Sequence, residues 1–94
     1  MSSLDNIVKI ERSINIYRNS DNELVEEVII DISLEKIKEI VLPSEEDPEL
    51  YEGYILNEEQ LGKFNLLLEH KISADFSQFF YVLEAAGIYD WSAN

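Results

Sequence analysis

The sequence contains no cysteine, which excludes both a disulfide framework and a thiolate nucleophile. It contains a single histidine, His70, so a zinc site and a histidine general base are not expected. The three glycines stand apart and form no phosphate-binding loop, and no G-x-S-x-G motif occurs. These absences predict a protein that is not an enzyme and that needs no cofactor or metal.

Basic residues are also scarce. Seven Lys and Arg stand against 20 Asp and Glu, which gives a net charge of −13. Nucleic acids and anionic membranes both require Lys and Arg at the contact, so neither is an expected partner. The first residues show no signal-peptide pattern, and no apolar run approaches about 18 residues. We therefore expect a cytoplasmic protein whose charge favours rapid encounter with basic proteins.

The length of 94 residues predicts one domain, residues 1–94, with one modest core. Residues 7–18 alternate apolar and polar side chains and predict a half-buried strand, in which Arg12 is a misfit on the apolar face. After a turn at 19–22, residues 23–32 predict a second strand that pairs antiparallel with the first. Simple alternation would place Leu24, Val28 and Ile30 on one face of it.

Two helices follow from capping signals. Ser33 is a good N-cap for a helix over 33–42, which must end before Pro43. Asn57 with Gln60 predicts a capping box and a helix over 58–70. Between them, residues 51–56 are short and aromatic and predict a third strand.

Residues 76–86 are compatible with two structures. Asp75 and Gln78 could cap a helix that ends at Gly87, but residues 79–83 are rich in strand-favouring side chains. We predict a strand over 79–85, followed by a tail over 88–94 that folds back or stays exposed. The resulting order is β-β-α-β-α-β, an α+β domain whose four-stranded, mainly antiparallel sheet carries both helices on one face.

The densest charge lies between residues 39 and 62, where eight acids occur without a Lys or Arg. Pro48 disfavours helix at Asp47, so residues 45–49 should form a surface loop. One interpretation is a solvated loop with no partner, and the other is a docking surface for a basic protein. A calcium site is a third reading, but the EF-hand spacing does not fit and Pro48 sits where such a loop must wrap.

Aromatic side chains accompany these acids. Tyr and Trp surrounded by acids are typical of an anchor patch for a basic protein partner. They could equally close the rim of the core. On the first interpretation, the candidate partner-binding residues are Glu45, Glu46, Asp47, Glu49, Tyr51, Glu52, Tyr54 and Trp91.

Several short runs resemble a known family. They are the run over 23–27, the Asp47-Pro48 pair followed by two tyrosines, and the runs over 56–60 and 80–84. Over roughly residues 7–85 the chain resembles the immunity proteins of bacterial contact-dependent growth inhibition systems, small acidic proteins often encoded beside polymorphic toxins. Its longer first strand and its Trp91 tail depart from them. The resemblance implies a cytoplasmic inhibitor, without a catalytic motif, that binds one cognate toxin, often a basic nuclease.

These observations favour an immunity protein that neutralises a toxin domain by steric and electrostatic masking. Two alternatives remain open at this stage. One is an acidic nucleic-acid mimic that inhibits a host DNA-binding protein, and the other is a non-catalytic oligomeric interaction module. The sequence leaves open the identity of the toxin and the oligomeric state.

Overall fold

The computed structural model describes residues 7–89 and confirms the predicted α+β class and element order. The elements are β1 (Ile7–Arg18), β2 (Leu24–Ile30), α1 (Leu34–Ile40), β3 (Tyr54–Leu56), α2 (Glu58–Leu67) and β4 (Phe79–Tyr89). No helix in this range is long and apolar enough to cross a membrane.

The four strands form one antiparallel sheet in the order β2-β1-β4-β3. β1 and β4 pair along nearly their whole length, from Arg18 opposite Phe79 to Ile7 opposite Tyr89. This long pairing satisfies the backbone of residues 79–89, so the predicted strand is correct and the alternative helix does not form. β4 also continues through residues 88 and 89, which therefore belong to the strand and not to a tail.

Both helices cover the same face of the sheet, which we call the inner face. Ile14 and Ile16 of β1 lie on it beside Tyr81 and Leu83 of β4, and all four are buried. The buried helix residues join the same cluster; they are Ile37 of α1 and Leu61 and Phe64 of α2. The opposite, outer face carries no helix among the described residues.

The two faces of β2 differ from simple alternation. Val28 lies opposite Ile14 and is therefore on the inner face, as predicted. The register then shifts between Ile16 and Tyr17, so that Leu24 lies opposite Tyr17 on the outer face. The prediction that Leu24 shares a face with Val28 is wrong, because a bulge adds one residue to β2 and reverses the alternation beyond it.

The helix starts are those predicted, and the helix ends come earlier. The Ser33 hydroxyl accepts a hydrogen bond from the Lys36 N–H, and Asn57 and Gln60 form the expected reciprocal capping box. α2 ends at Leu67 because the Asn65 side chain bonds both the N–H and the C=O of Ile72, at 2.8 and 2.9 Å, which holds the chain in a turn.

Candidate functional site

The acidic loop, residues 43–53, connects α1 to β3 and is organised around Asp47. The Asp47 side chain is only 5% exposed. Its carboxylate accepts hydrogen bonds from the N–H groups of Tyr51 and Glu52, both at 2.9 Å, and from the Tyr54 hydroxyl at 2.5 Å. Its own N–H donates to the Ser44 hydroxyl at 3.1 Å. Asp47 therefore holds the loop together from the inside.

This network shifts the pKa values of two side chains and shortens β3. The hydrogen bond from Tyr54, followed by that from the Glu52 N–H, lowers the pKa of Asp47 below its ordinary value. The same bond to a carboxylate raises the pKa of Tyr54. Because Asp47 takes the N–H groups of residues 51 and 52, β3 begins only at Tyr54 and is shorter than the predicted 51–56 strand.

Two cations from distant positions compensate part of the charge on the acidic loop. The Arg12 guanidinium donates to the Glu49 carbonyl at 2.5 Å and lies over the Tyr51 ring, 5.8 Å from its centroid. The Lys38 ammonium lies 3.9 Å from the Glu49 carboxylate. These contacts account for part of the apparent misfit of Arg12 on an apolar strand face, although its buried Nε has no hydrogen-bond partner within the described residues.

Leu50 fixes the loop to the core. Its side chain is 1% exposed and packs in the hydrophobic cluster, while its backbone adopts a positive φ of 55°. A branched side chain is disfavoured in this left-handed region, so burial of Leu50 offsets a backbone cost. The acidic loop is consequently anchored at Asp47, at Leu50 and by Arg12.

The structure gathers most of the predicted partner-binding residues on this one loop but exposes only some of them. Glu45, Glu46, Tyr51 and Glu52 face solvent, and Tyr51 is 54% exposed. The remaining candidates differ: Asp47 is buried, Glu49 and Tyr54 are half-buried and bonded within the protein, and Trp91 lies outside the described residues. The exposed acids and Tyr51 are therefore the part of the candidate surface that is available for contact.

The outer face of the sheet carries a second group of side chains that sequence reasoning missed. Tyr17 stacks on Phe80 with ring centroids 5.2 Å apart, and its hydroxyl donates to Glu84 at 2.5 Å. That hydrogen bond, followed by burial, raises the pKa of Tyr17. Asn15 lies beside them with 6% exposure, and its Oδ1 has no hydrogen-bond partner within the protein. The alternation of β1 could have indicated this polar face, but not that its central residues are buried by their neighbours.

Three shallow cavities border β2. One, of about 390 Å³, lies between β2 and the end of α2. Two smaller ones, about 330 and 310 Å³, adjoin it near Ile30 and near Glu26. Within residues 7–89, no three His, Asp or Glu side chains converge as they would around a metal ion.

Comparison with known proteins gives one match. A family described as "Domain of unknown function (DUF7683)" matches residues 11–84, which extend from the middle of β1 to the middle of β4. No curated protein and no solved structure matches the chain. The match covers β2, β3, both helices, the acidic loop and parts of β1 and β4, so the chain belongs to the DUF7683 family.

Proposed function

We propose that this protein is an immunity protein that binds a basic toxin domain, a nuclease being the best fit, and neutralises it by covering it. The observation that carries the proposal is an ordered acidic surface. Glu45, Glu46 and Glu52 are exposed on a loop that Asp47 and Leu50 hold in one conformation. The resemblance to immunity proteins supplies the class of partner.

Order in the loop favours binding for an entropic reason. A loop that is already fixed loses little conformational freedom when a partner docks, so more of the contact energy appears as affinity. Tyr51 adds an exposed aromatic ring to the acids, and the Arg12 guanidinium lies over one face of this ring. Aromatic anchors surrounded by complementary charge are typical of high-affinity protein interfaces.

The net charge of −13 favours fast capture of a basic partner. An inhibitor that covers its target acts once per target molecule, so protection should be stoichiometric. The acids would pair with Lys or Arg side chains that otherwise contact phosphates of the toxin's substrate. Neutralisation then depends on occupancy of the toxin and not on its chemical modification.

The experiment first isolates the partner and then titrates its activity with this protein. The tagged protein is purified from its native strain, the bound protein is identified, and its toxic activity is measured with increasing amounts of this protein. We expect one equivalent to abolish activity. An active partner at one equivalent, or complete inactivation by trace amounts, would contradict the masking mechanism.

A charge-reversal pair locates the contact. Glu45→Lys/Glu46→Lys should slow association with that partner by at least about tenfold at low ionic strength, because it replaces two attractions by two repulsions. Glu58→Lys/Glu59→Lys makes the same change of net charge at the start of α2, outside residues 43–53. If both pairs have equal effects, net charge alone drives association and the acidic loop is not the contact.

A further inference from the structure

β2 has a long unpaired edge. It lies at one end of the sheet, so one side pairs with β1 and the other pairs with nothing within residues 7–89. The opposite end of the sheet is β3, which is three residues long, whereas β2 offers seven. An unpaired edge presents a row of backbone N–H and C=O groups with which another extended chain can pair.

The side chains of β2 are unusually apolar for an exposed edge. Leu24, Val25 and Ile29 are 47%, 42% and 50% exposed. The bulge beside Tyr17 interrupts only the first part of the strand, and the register is regular from Glu26 to Ile30. That regular part leaves room for a partner strand.

The cavity of about 390 Å³ lies where the side chains of an added strand would point. A neighbouring strand runs about 4.8 Å from β2, and its side chains alternate between the two faces. Those on the inner face would enter the space between β2 and the end of α2. That space is lined by apolar side chains, two acids and one histidine; they include Val28, Ile32, Leu67, Leu68, Asp31, Glu69 and His70.

Charge decides which kind of strand fits. Glu26 and Glu27 occupy the middle of β2, and Asp31 and Glu69 line the cavity. None of these four acids takes part in the ion pairs among the described residues. The bases that line the cavities beside β2 are Lys9, Arg12, His70 and Lys71, and Glu11 lines one of them as well. Five acids thus stand against three Lys and Arg and one histidine, and Arg12 is already bound to the acidic loop, so the surroundings of β2 are acidic on balance. A strand that carries Lys or Arg would therefore be attracted to this edge.

A second copy of the chain fits less well. The antiparallel register that uses all seven residues would pair Leu24 with Ile30 and place Glu27 opposite Glu27. Like charges directly opposite each other destabilise a strand pair. Two molecules that each carry a charge of −13 also repel one another.

We propose that β2 accepts an extended basic segment of the partner protein as a fifth strand of the sheet. This inference rests on the proposed function, because it specifies how the basic partner binds. Backbone hydrogen bonds would supply affinity, and the acids along β2 and its cavity would select the Lys or Arg side chains.

The test uses the whole chain and a synthetic peptide of alternating Lys and Val, about nine residues long, as long as a natural strand. Chemical shifts and amide hydrogen exchange are followed by NMR during the titration. We expect shift changes in residues 24–30 and slower exchange of their outward N–H groups. The control peptide has the same side chains, but alternate backbone amides are N-methylated so that it cannot pair with an edge.

Two variants of equal charge separate this site from the acidic loop. Glu26→Lys/Glu27→Lys should weaken peptide binding by at least about tenfold, and Glu45→Lys/Glu46→Lys by less than about threefold. Circular dichroism confirms that both variants are folded. Strand addition would be supported if the unmodified peptide slows amide exchange in β2 and the N-methylated peptide does not.

Four other outcomes would contradict strand addition by a basic segment. Equal binding of the N-methylated peptide would show a purely electrostatic contact, and shifts confined to residues 43–53 would place the contact on the acidic loop. Absence of binding, or concentration-dependent dimerisation through β2, would also exclude a basic strand as the occupant. In each case the titration of the isolated toxin still tests the proposed function separately.

Discussion

At the scale of single residues, Asp47 shows how an acid in a charged run can be structural. Its neighbours Glu45 and Glu46 are exposed, yet Asp47 is buried and accepts three hydrogen bonds from the residues that follow it. These bonds are stronger when the carboxylate is ionised, since an ionised carboxylate is the stronger acceptor. Its role is therefore to position the exposed acids.

Asp47→Asn should destabilise the protein and change its response to acid. The pKa of Asp47 is lowered in the folded protein, so its contribution to stability is present above its ordinary value of 3.8 and is lost as the pH falls through the lowered pKa. We expect the stability difference between wild type and Asp47→Asn to be largest near neutral pH and to shrink in acid. Urea unfolding at a series of pH values measures it.

Glu45→Gln is the control, because Glu45 is exposed and its charge has no hydrogen-bonding role in the described network. Its effect on unfolding should be small and should show no comparable loss in acid. Parallel pH profiles for wild type and Asp47→Asn would contradict the anchoring role of the carboxylate.

Leu50 gives a second residue-level prediction. Leu50→Ala should cost about 2–5 kcal/mol through the lost burial and the cavity left behind. Leu50→Gly removes the same contacts but relieves the strain of a positive φ, worth roughly 1–2 kcal/mol. The glycine variant should therefore be no less stable than the alanine variant by urea unfolding. A glycine variant clearly less stable than alanine would show that the left-handed backbone at Leu50 is not strained.

At the scale of elements, short side-chain hydrogen bonds determine where helices and strands begin and end. The Asn57–Gln60 capping box begins α2, and Asn65 ends it by bonding to Ile72. Asp47 in the same way delays the start of β3 until residue 54. In a helix of only ten residues such terminal bonds are a large share of its local stability.

Asn57→Ala should therefore destabilise the protein by about 1 kcal/mol, the usual cost of losing an N-cap side chain. Chemical denaturation measures this loss of stability. The slope of the unfolding free energy against denaturant concentration should be the same in both proteins. Ser20→Ala, in the exposed turn between β1 and β2, is the comparison and should change stability little. Similar midpoints for the two variants would mean that tertiary packing alone holds the start of α2.

At the scale of the whole molecule, the excess of acids acts on folding and on binding in opposite directions. Self-repulsion at a net charge of −13 destabilises the compact state, while the same charge would attract the basic partner that we propose. The five ion pairs among the described residues are all at least partly exposed and offset little of this repulsion.

Added salt should therefore raise the free energy of unfolding and weaken partner binding. The Debye length falls from about 10 Å at 0.1 M to about 3 Å at 1 M ionic strength, so both the repulsion and the attraction are screened. Urea unfolding across this range of ionic strength measures how stability depends on salt. Association kinetics across the same range measure how partner binding depends on salt. Binding and on-rate that stay flat would contradict electrostatic docking, and stability that falls with salt would contradict net self-repulsion.

Much of the fold could be predicted from local patterns. Alternation along residues 7–18, the two helix caps and the strand-favouring run after residue 78 are each properties of neighbouring residues, and each appears in the structure. The faces of β2, the early end of α2 and the short β3 could not be predicted. Each of these three features depends on one bulge or on one side-chain hydrogen bond, and such contacts form only when the chain packs.

The amino-acid sequence by itself determined the class of the fold, the order of its elements and the acidic character of its surface, because periodicity, capping and charge are local or additive. Only the tertiary structure decided which acids are available. It buries Asp47, pairs Glu49 with Lys38 and places Arg12 over the Tyr51 ring, and the last contact joins residues 39 positions apart. It also leaves the edge of β2 unpaired beside a cavity, since the position of a strand in the sheet follows from long-range pairing.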